Sequence, residues 1–250
     1  MKSKLEICAG DIRSVRAAAM GGAARVELCS ALSEGGLTPS YGLIKEALKE
    51  RGMKVNVLIR PRAGDFVYNK EELAVMKADI LMARQLGANG VVFGCLTPQG
   101  KVDMTACRSL MDAAEGMSTT FHRAFDLVAN PFEALENVIT LGFDRILTSG
   151  LRSTALSGAK TLKALIDKAD GRIVIMPGAG INRENCAEIM RLTGAHELHA
   201  SAREAYDSEM IFRRDGISMG AVGADEYEMK YTSPLAVDAL INEMFKAEYE

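Results

Sequence analysis

The chain has 250 residues, 48% hydrophobic and 25% charged, with 30 basic against 33 acidic side chains and a net charge of −3. This composition excludes a disordered, collagenous or low-complexity chain, and the length is enough to bury one large core. With no basic block, 6% aromatics and no Trp, the chain lacks the cationic stripe and stacking rings of a nucleic-acid binder.

Met1–Glu6 carries lysines with no apolar run behind them. No stretch of about 18 apolar residues follows, so neither a secretory signal nor a membrane span is expected. Five scattered cysteines (Cys8, Cys29, Cys95, Cys107 and Cys186) are an odd set without framework spacing. They suit a reducing compartment, and a cytoplasmic location is expected.

Short β-branched runs recur along the chain. Strands are predicted at 5–8, 25–29, 54–59, 90–95, 119–125, 145–148, 172–176 and 197–201, with starts 20 to 36 residues apart. A strand with its crossover helix takes roughly 30 residues, so this is the rhythm of repeated βα units. Helix starts are signalled by Thr38-Pro39, by Asn69 with Glu72 three residues on, by Asn130-Pro131 and by Asn182. Helix ends are signalled by Gly21-Gly22, Gly52, Gly87, Gly116, Gly142, Gly171 and Gly194. Eight such units predict an α/β fold, a single (β/α)8 TIM barrel with a closed parallel sheet spanning 1–250. An open doubly wound sheet is the structural alternative, but Cys8-Ala-Gly10-Asp11 is not its glycine fingerprint. Residues 205–233 read as an extended loop after strand eight, long enough for an oligomer contact.

In such barrels the chemistry sits at strand C-termini. Those ends carry Glu6, Cys8, Glu27, Cys29, Arg60, Arg62, Asp65, His122, Arg123, Asp126, His199 and Arg203. Charged groups inside a barrel are costly unless paired or solvated in a cleft, so this set points either to function or to an ion-pair network at the mouth. His122 with Glu6, Glu27 and Asp126 could perform acid–base work, or could hold a divalent metal with mixed N and O ligands. Arg60, Arg62, Arg203 and the Gly178–Gly180 loop could hold an anion or phosphate. Leu5-Glu-Ile-Cys8 and Val26-Glu-Leu-Cys29 repeat one pattern, and their thiols could share one soft ion such as Cu(I). Equally, both could be buried, inert small hydrophobes.

Several segments together resemble the CutC family of copper homeostasis proteins. They are Glu27-Leu-Cys29, residues 35–40, Arg60-Pro-Arg62 with Gly64-Asp-Phe66, His122-Arg-Ala-Phe-Asp126, Leu147-Thr-Ser-Gly150 and Gly178-Ala-Gly180. The resemblance spans about Leu5 to Phe245. It implies a (β/α)8 barrel, a cytoplasmic homodimer or larger homo-oligomer, and Cu(I) held by Cys8 and Cys29 in copper tolerance or trafficking. The residues also support a barrel enzyme, a lyase, isomerase or hydrolase, acting on a small anionic metabolite, phosphorylated or not. The expected partners are a copper ion or a small anion, with no nucleic acid and no membrane.

Overall fold

The computed structural model describes residues 3–217, 219 and 225–249. Eight βα units follow in order: β1 (Lys4–Ala9), α1 (Ile12–Met20), β2 (Arg25–Leu28), α2 (Tyr41–Ala47), β3 (Lys54–Leu58), α3 (Lys70–Leu86), β4 (Gly90–Phe93), α4 (Met104–Ala113), β5 (Ser118–Phe121), α5 (Pro131–Leu141), β6 (Arg145–Thr148), α6 (Ala159–Ala169), β7 (Val174–Pro177), α7 (Cys186–Thr193) and β8 (Glu197–Ala200). After β8 come β9 (Arg203–Asp207), β10 (Glu228–Thr232) and α8 (Pro234–Tyr249). Parallel ladders join neighbours from β7 back to β1 and on to β8. β7 and β8 then face each other across the remaining seam, where a Cβ placed on Gly178 would lie 3.4 Å from His199 Cβ. This is a nearly closed eight-stranded barrel inside a ring of helices, as the strand rhythm predicts.

Alternation within each strand divides the core. Leu5, Ile7 and Ala9 of β1, and Val26 and Leu28 of β2, join the hydrophobic layer that packs the helices. Glu6 of β1 and Arg25 and Glu27 of β2 are buried as well, on the other face. The helix punctuation works locally. Asn69 and Glu72 form a reciprocal capping box on α3, and Asn130 caps α5 with Pro131 in its first turn. Gly87, Gly142 and Gly194 close helices in the left-handed conformation.

Four local expectations are corrected. Ser40, not Thr38, caps α2, because the Thr38 hydroxyl accepts the Arg60 N–H at 2.9 Å instead. Asn182 forms a turn by accepting from the N–H groups of Glu184 and Asn185, and α7 starts only at Cys186. The fifth strand stops at Phe121, since His122 takes the N–H of Ala124 and starts a 3-10 turn over Arg123–Leu127. The expected loop at 205–233 holds most of an antiparallel hairpin, β9 with β10, although 218 and 220–224 lie outside the described residues. That hairpin is polar and exposed, so it has no buried alternation to betray it. Arg13 stacks on its Tyr206 and Tyr231 rings, 4.6 and 4.3 Å from their centroids.

Candidate functional site

The strand C-termini surround a cleft of about 550 Å³. Cys8, Glu27, Cys29, Arg60, His122, Asp126, Gly180, His199 and Arg203 all line it. The barrel topology brings these residues together from six strands or the turns that follow them. Four predicted residues, Glu6, Arg62, Asp65 and Gly178, do not line it. Glu6 lies beneath, fully buried. Arg62 is taken up by Glu72 and by Asp65, 3.1 Å away. Gly178 makes room for packing, since a Cβ there would come within 2.5 Å of the Leu147 side chain.

Under the cleft lies a buried charge network. Glu6 is a rung partner of both Arg25 on β2 and His199 on β8. Its carboxylate pairs with Arg25 Nε and meets His199 Nδ1 at 2.8 Å. Arg25 also donates to Glu197 at 2.5 Å, and Glu197 accepts from Arg145 at 2.9 Å and from Lys4 at 3.3 Å. Arg25, Arg145 and Glu197 escape a reading that looks only at strand C-termini, because they open their strands. The available signal was a charged residue beginning an otherwise apolar run. Burial raises the Glu6 carboxyl, but Arg25 and His199 outweigh it and hold it at about 2.

With Glu6 and Glu197 matched by the two arginines, Glu27 and His199 are left facing each other across 3.6 Å, Oε2 to Nε2. Burial is the main cause that pushes Glu27 up to about 7, with nearby Glu6 adding to it and His199 opposing. Burial alone would lower His199, yet Glu27, Cys8 and Glu6 together raise it well above the usual imidazole value. Both members of the pair therefore cling to protons. Glu27, in a cleft and holding its proton up to about 7 beside His199, can give or take a proton.

The other predicted acid–base residues are placed differently. Asp126 accepts from Thr148 Oγ1 at 2.5 Å, from Ser149 N at 2.9 Å and from Leu151 N at 3.2 Å, and pairs with Arg123 at 2.8 Å. Its oxygens are taken up in tethering the turn after β6. His122 is held down at about 3, first by burial and then by the Arg60 charge, so it is neutral near pH 7.

Both thiols line the cleft, at heights offset by the register of β1 and β2. Cys8 sits opposite Glu27, so Cys29, just past the end of β2, lies one same-face position further on, about 7 Å in strand rise. Cys29 donates to Ala9 O at 3.5 Å, and burial pushes its thiol well up. Among the described residues no group of three or more His, Cys, Asp or Glu side chains is arranged to hold a metal ion. Nor is any helix among them long and apolar enough to cross a membrane.

On the rim beyond β7 and β8, the N–H groups of Ala179, Gly180 and Ile181 donate to nothing among the described residues, and Ala179 and Gly180 both have positive φ. Arg203 stands nearby without an ion pair among those residues. Consecutive free N–H groups beside a cation make an anion cradle.

Residues 3–204 match the model of the CutC family. The chain belongs to the CutC family. It is 50% identical to a CutC family protein of Bacteroides thetaiotaomicron over 93% of this chain and 94% of the other. A human relative named copper homeostasis protein cutC homolog is 48% identical, over 94% of this chain and 87% of its own. A solved CutC structure from Streptococcus agalactiae superposes with a TM-score of 0.76 at 39% identity, over 80% of this chain and 98% of that one. Thiamine phosphate pyrophosphorylase from Pyrococcus furiosus, at TM-score 0.58 and 17% identity over 98% of this chain and 96% of that one, shows that the CutC chain shares the barrel fold.

Proposed function

We propose that this CutC cleft is a proton-transfer site for a small anionic ligand. The observation that carries the reading is the Glu27–His199 pair, 3.6 Å apart and lining a cleft of about 550 Å³. Glu27 and His199 exchange the proton, while Glu6 orients the imidazole through its 2.8 Å contact to Nδ1. The Ala179–Ile181 N–H groups and Arg203 hold the anion. Five free thiols suit a reducing, cytoplasmic setting. The test is thermal unfolding against inorganic phosphate and a panel of phosphorylated and carboxylated metabolites. Binding to the folded state raises the midpoint by linkage. An upward shift that shrinks in Arg203→Ala is expected; no shift by any compound would sink the reading.

A second reading follows from a separate observation, that Cys8 and Cys29 line the same cleft. Soft sulfur ligands select Cu(I), and binding would displace the Cys29 proton. Copper is then cargo, passed on in copper homeostasis as the name of the human relative suggests. Elemental analysis after purification under reducing conditions decides it. Copper near one per chain that is lost in Cys8→Ser/Cys29→Ser supports this role. Metal-free protein, or a metal content indifferent to those substitutions, removes it.

A further inference from the structure

We propose that His122 contacts the ligand, donating from Nε2 to a carbonyl or enolate oxygen, and that the cleft takes a small carbonyl compound with an anionic tail. This deepens the proton-transfer reading and rests on it.

Two residues that line the cleft each carry a buried nitrogen without a partner. His122 is 4% exposed and lines the cleft. Its Nδ1 accepts the Ala124 N–H at 3.3 Å, which leaves the ring proton on Nε2, and Nε2 has no partner. Buried donors without partners are rare in folded proteins, and a ligand or water commonly completes them. Arg60 is 6% exposed and also lines the cleft. Its Nη1 donates to the carbonyls of Glu34 and Gly36 and its Nη2 to that of Gly64, while Nε has no acceptor. No carboxylate pairs with it among the described residues; backbone carbonyls, the Tyr68 side chain and the Phe66 ring surround it, and a buried cation without a counter-charge calls for an anion.

The wall is shaped for this corner. Phe66 packs on both groups, its ring centroid 4.8 Å from that of His122 and 5.0 Å from Arg60 Cζ. A Cβ on Gly94 would come within 2.9 Å of His122 Nδ1, so glycine there admits the imidazole. Burial and the Arg60 charge keep the ring neutral, which removes it as a proton carrier and retains it as a donor.

The chemistry balances without an oxidant. A C–H bond beside the ligand carbonyl breaks, its proton passes to Glu27, and its electron pair forms the C=C of an enolate. The negative charge that appears on oxygen faces His122 Nε2–H and Arg60. Where the carbon that loses its proton also bears a hydroxyl, return of the proton to the neighbouring carbon, with the hydroxyl proton passing from one enediolate oxygen to the other, completes an isomerisation; return to the first carbon regenerates the ligand. The anionic tail lies at Ala179–Ile181 and Arg203.

The test uses the full chain labelled with 15N-histidine, oxalate as a planar enolate-like probe and inorganic phosphate as a probe for the tail. One protonated and one unprotonated His122 nitrogen, unchanged from pH 5 to 8, are expected, and oxalate should shift the Nε2–H resonance. His122→Phe should weaken oxalate at least tenfold while sparing phosphate, and His122→Gln, which keeps a donor near Nε2, should restore much of the affinity. The proposal is overturned if oxalate fails to bind at millimolar concentration, binds without moving Nε2–H, or binds His122→Phe as well as the parent. A His122 that titrates near neutrality overturns it too. Phosphate that still binds in any of these cases leaves the broader reading standing, and loss of both probes removes the two together.

Discussion

Arg25→Met should destabilise the protein by about 3–5 kcal/mol, the largest effect expected of any single substitution at the barrel floor. Arg25 is the shared cation between Glu6 and Glu197, and all three are nearly or fully inaccessible to water. Methionine fills a similar space but leaves Glu6 with only His199 and Glu197 with Arg145 and the exposed Lys4. The loss comes from the uncompensated carboxylates rather than from missing volume. Guanidinium unfolding should therefore show part of it recovered in Arg25→Met/Glu6→Gln, where one stranded charge is removed. The exposed pair Lys246–Glu243 is the control, and its removal should cost under about 1 kcal/mol. An Arg25→Met protein within that same small range would mean that the network contributes little.

Stability should rise as pH increases from about 2 to 4.5, then fall as pH increases from about 4.5 to 7. The rise belongs to Glu6, whose folded value of about 2 is depressed from 4.5. Its contribution is present above the unfolded value and lost as pH falls through the folded one. The fall belongs to Glu27, raised from 4.5 to about 7. Between those values the folded chain keeps a proton that the unfolded chain has released, so stability is lost as pH rises. A shift of that size corresponds to about 3 kcal/mol across the window. His199, also raised, extends the decline upward in pH. Urea midpoints from pH 4.5 to 8 check this, and Glu27→Gln should flatten the decline while leaving the acid limb set by Glu6. An unchanged slope in Glu27→Gln would show that the pair does not hold its protons.

These effects turn on residues that differed in how readable they were. The βα rhythm, the caps at Asn69 and Asn130 and the glycine helix ends are local signals, and periodicity and turn chemistry reach only a few residues. Glu27, His199 and Arg203 were legible as polar residues at strand ends, where an apolar side chain is the rule. Their individual roles were not. Glu6 and Glu27 occupy the same place in two repeated strand patterns, yet one is ionised beneath the floor and the other holds a proton at the cleft.

The sequence alone determined the fold class, the family and the set of polar strand ends, because these depend on order, spacing and residue type along the chain. Only the tertiary structure decided which of those ends face one another. Register set Glu6 beside both Arg25 and His199, and stagger moved Cys29 one position past Cys8. Packing left His122 neutral beside Arg60, and the exposed segment after β8 folded into a hairpin against Arg13. Each of these outcomes depends on contacts between residues far apart in the chain, where burial and neighbouring charge decide which groups keep their protons.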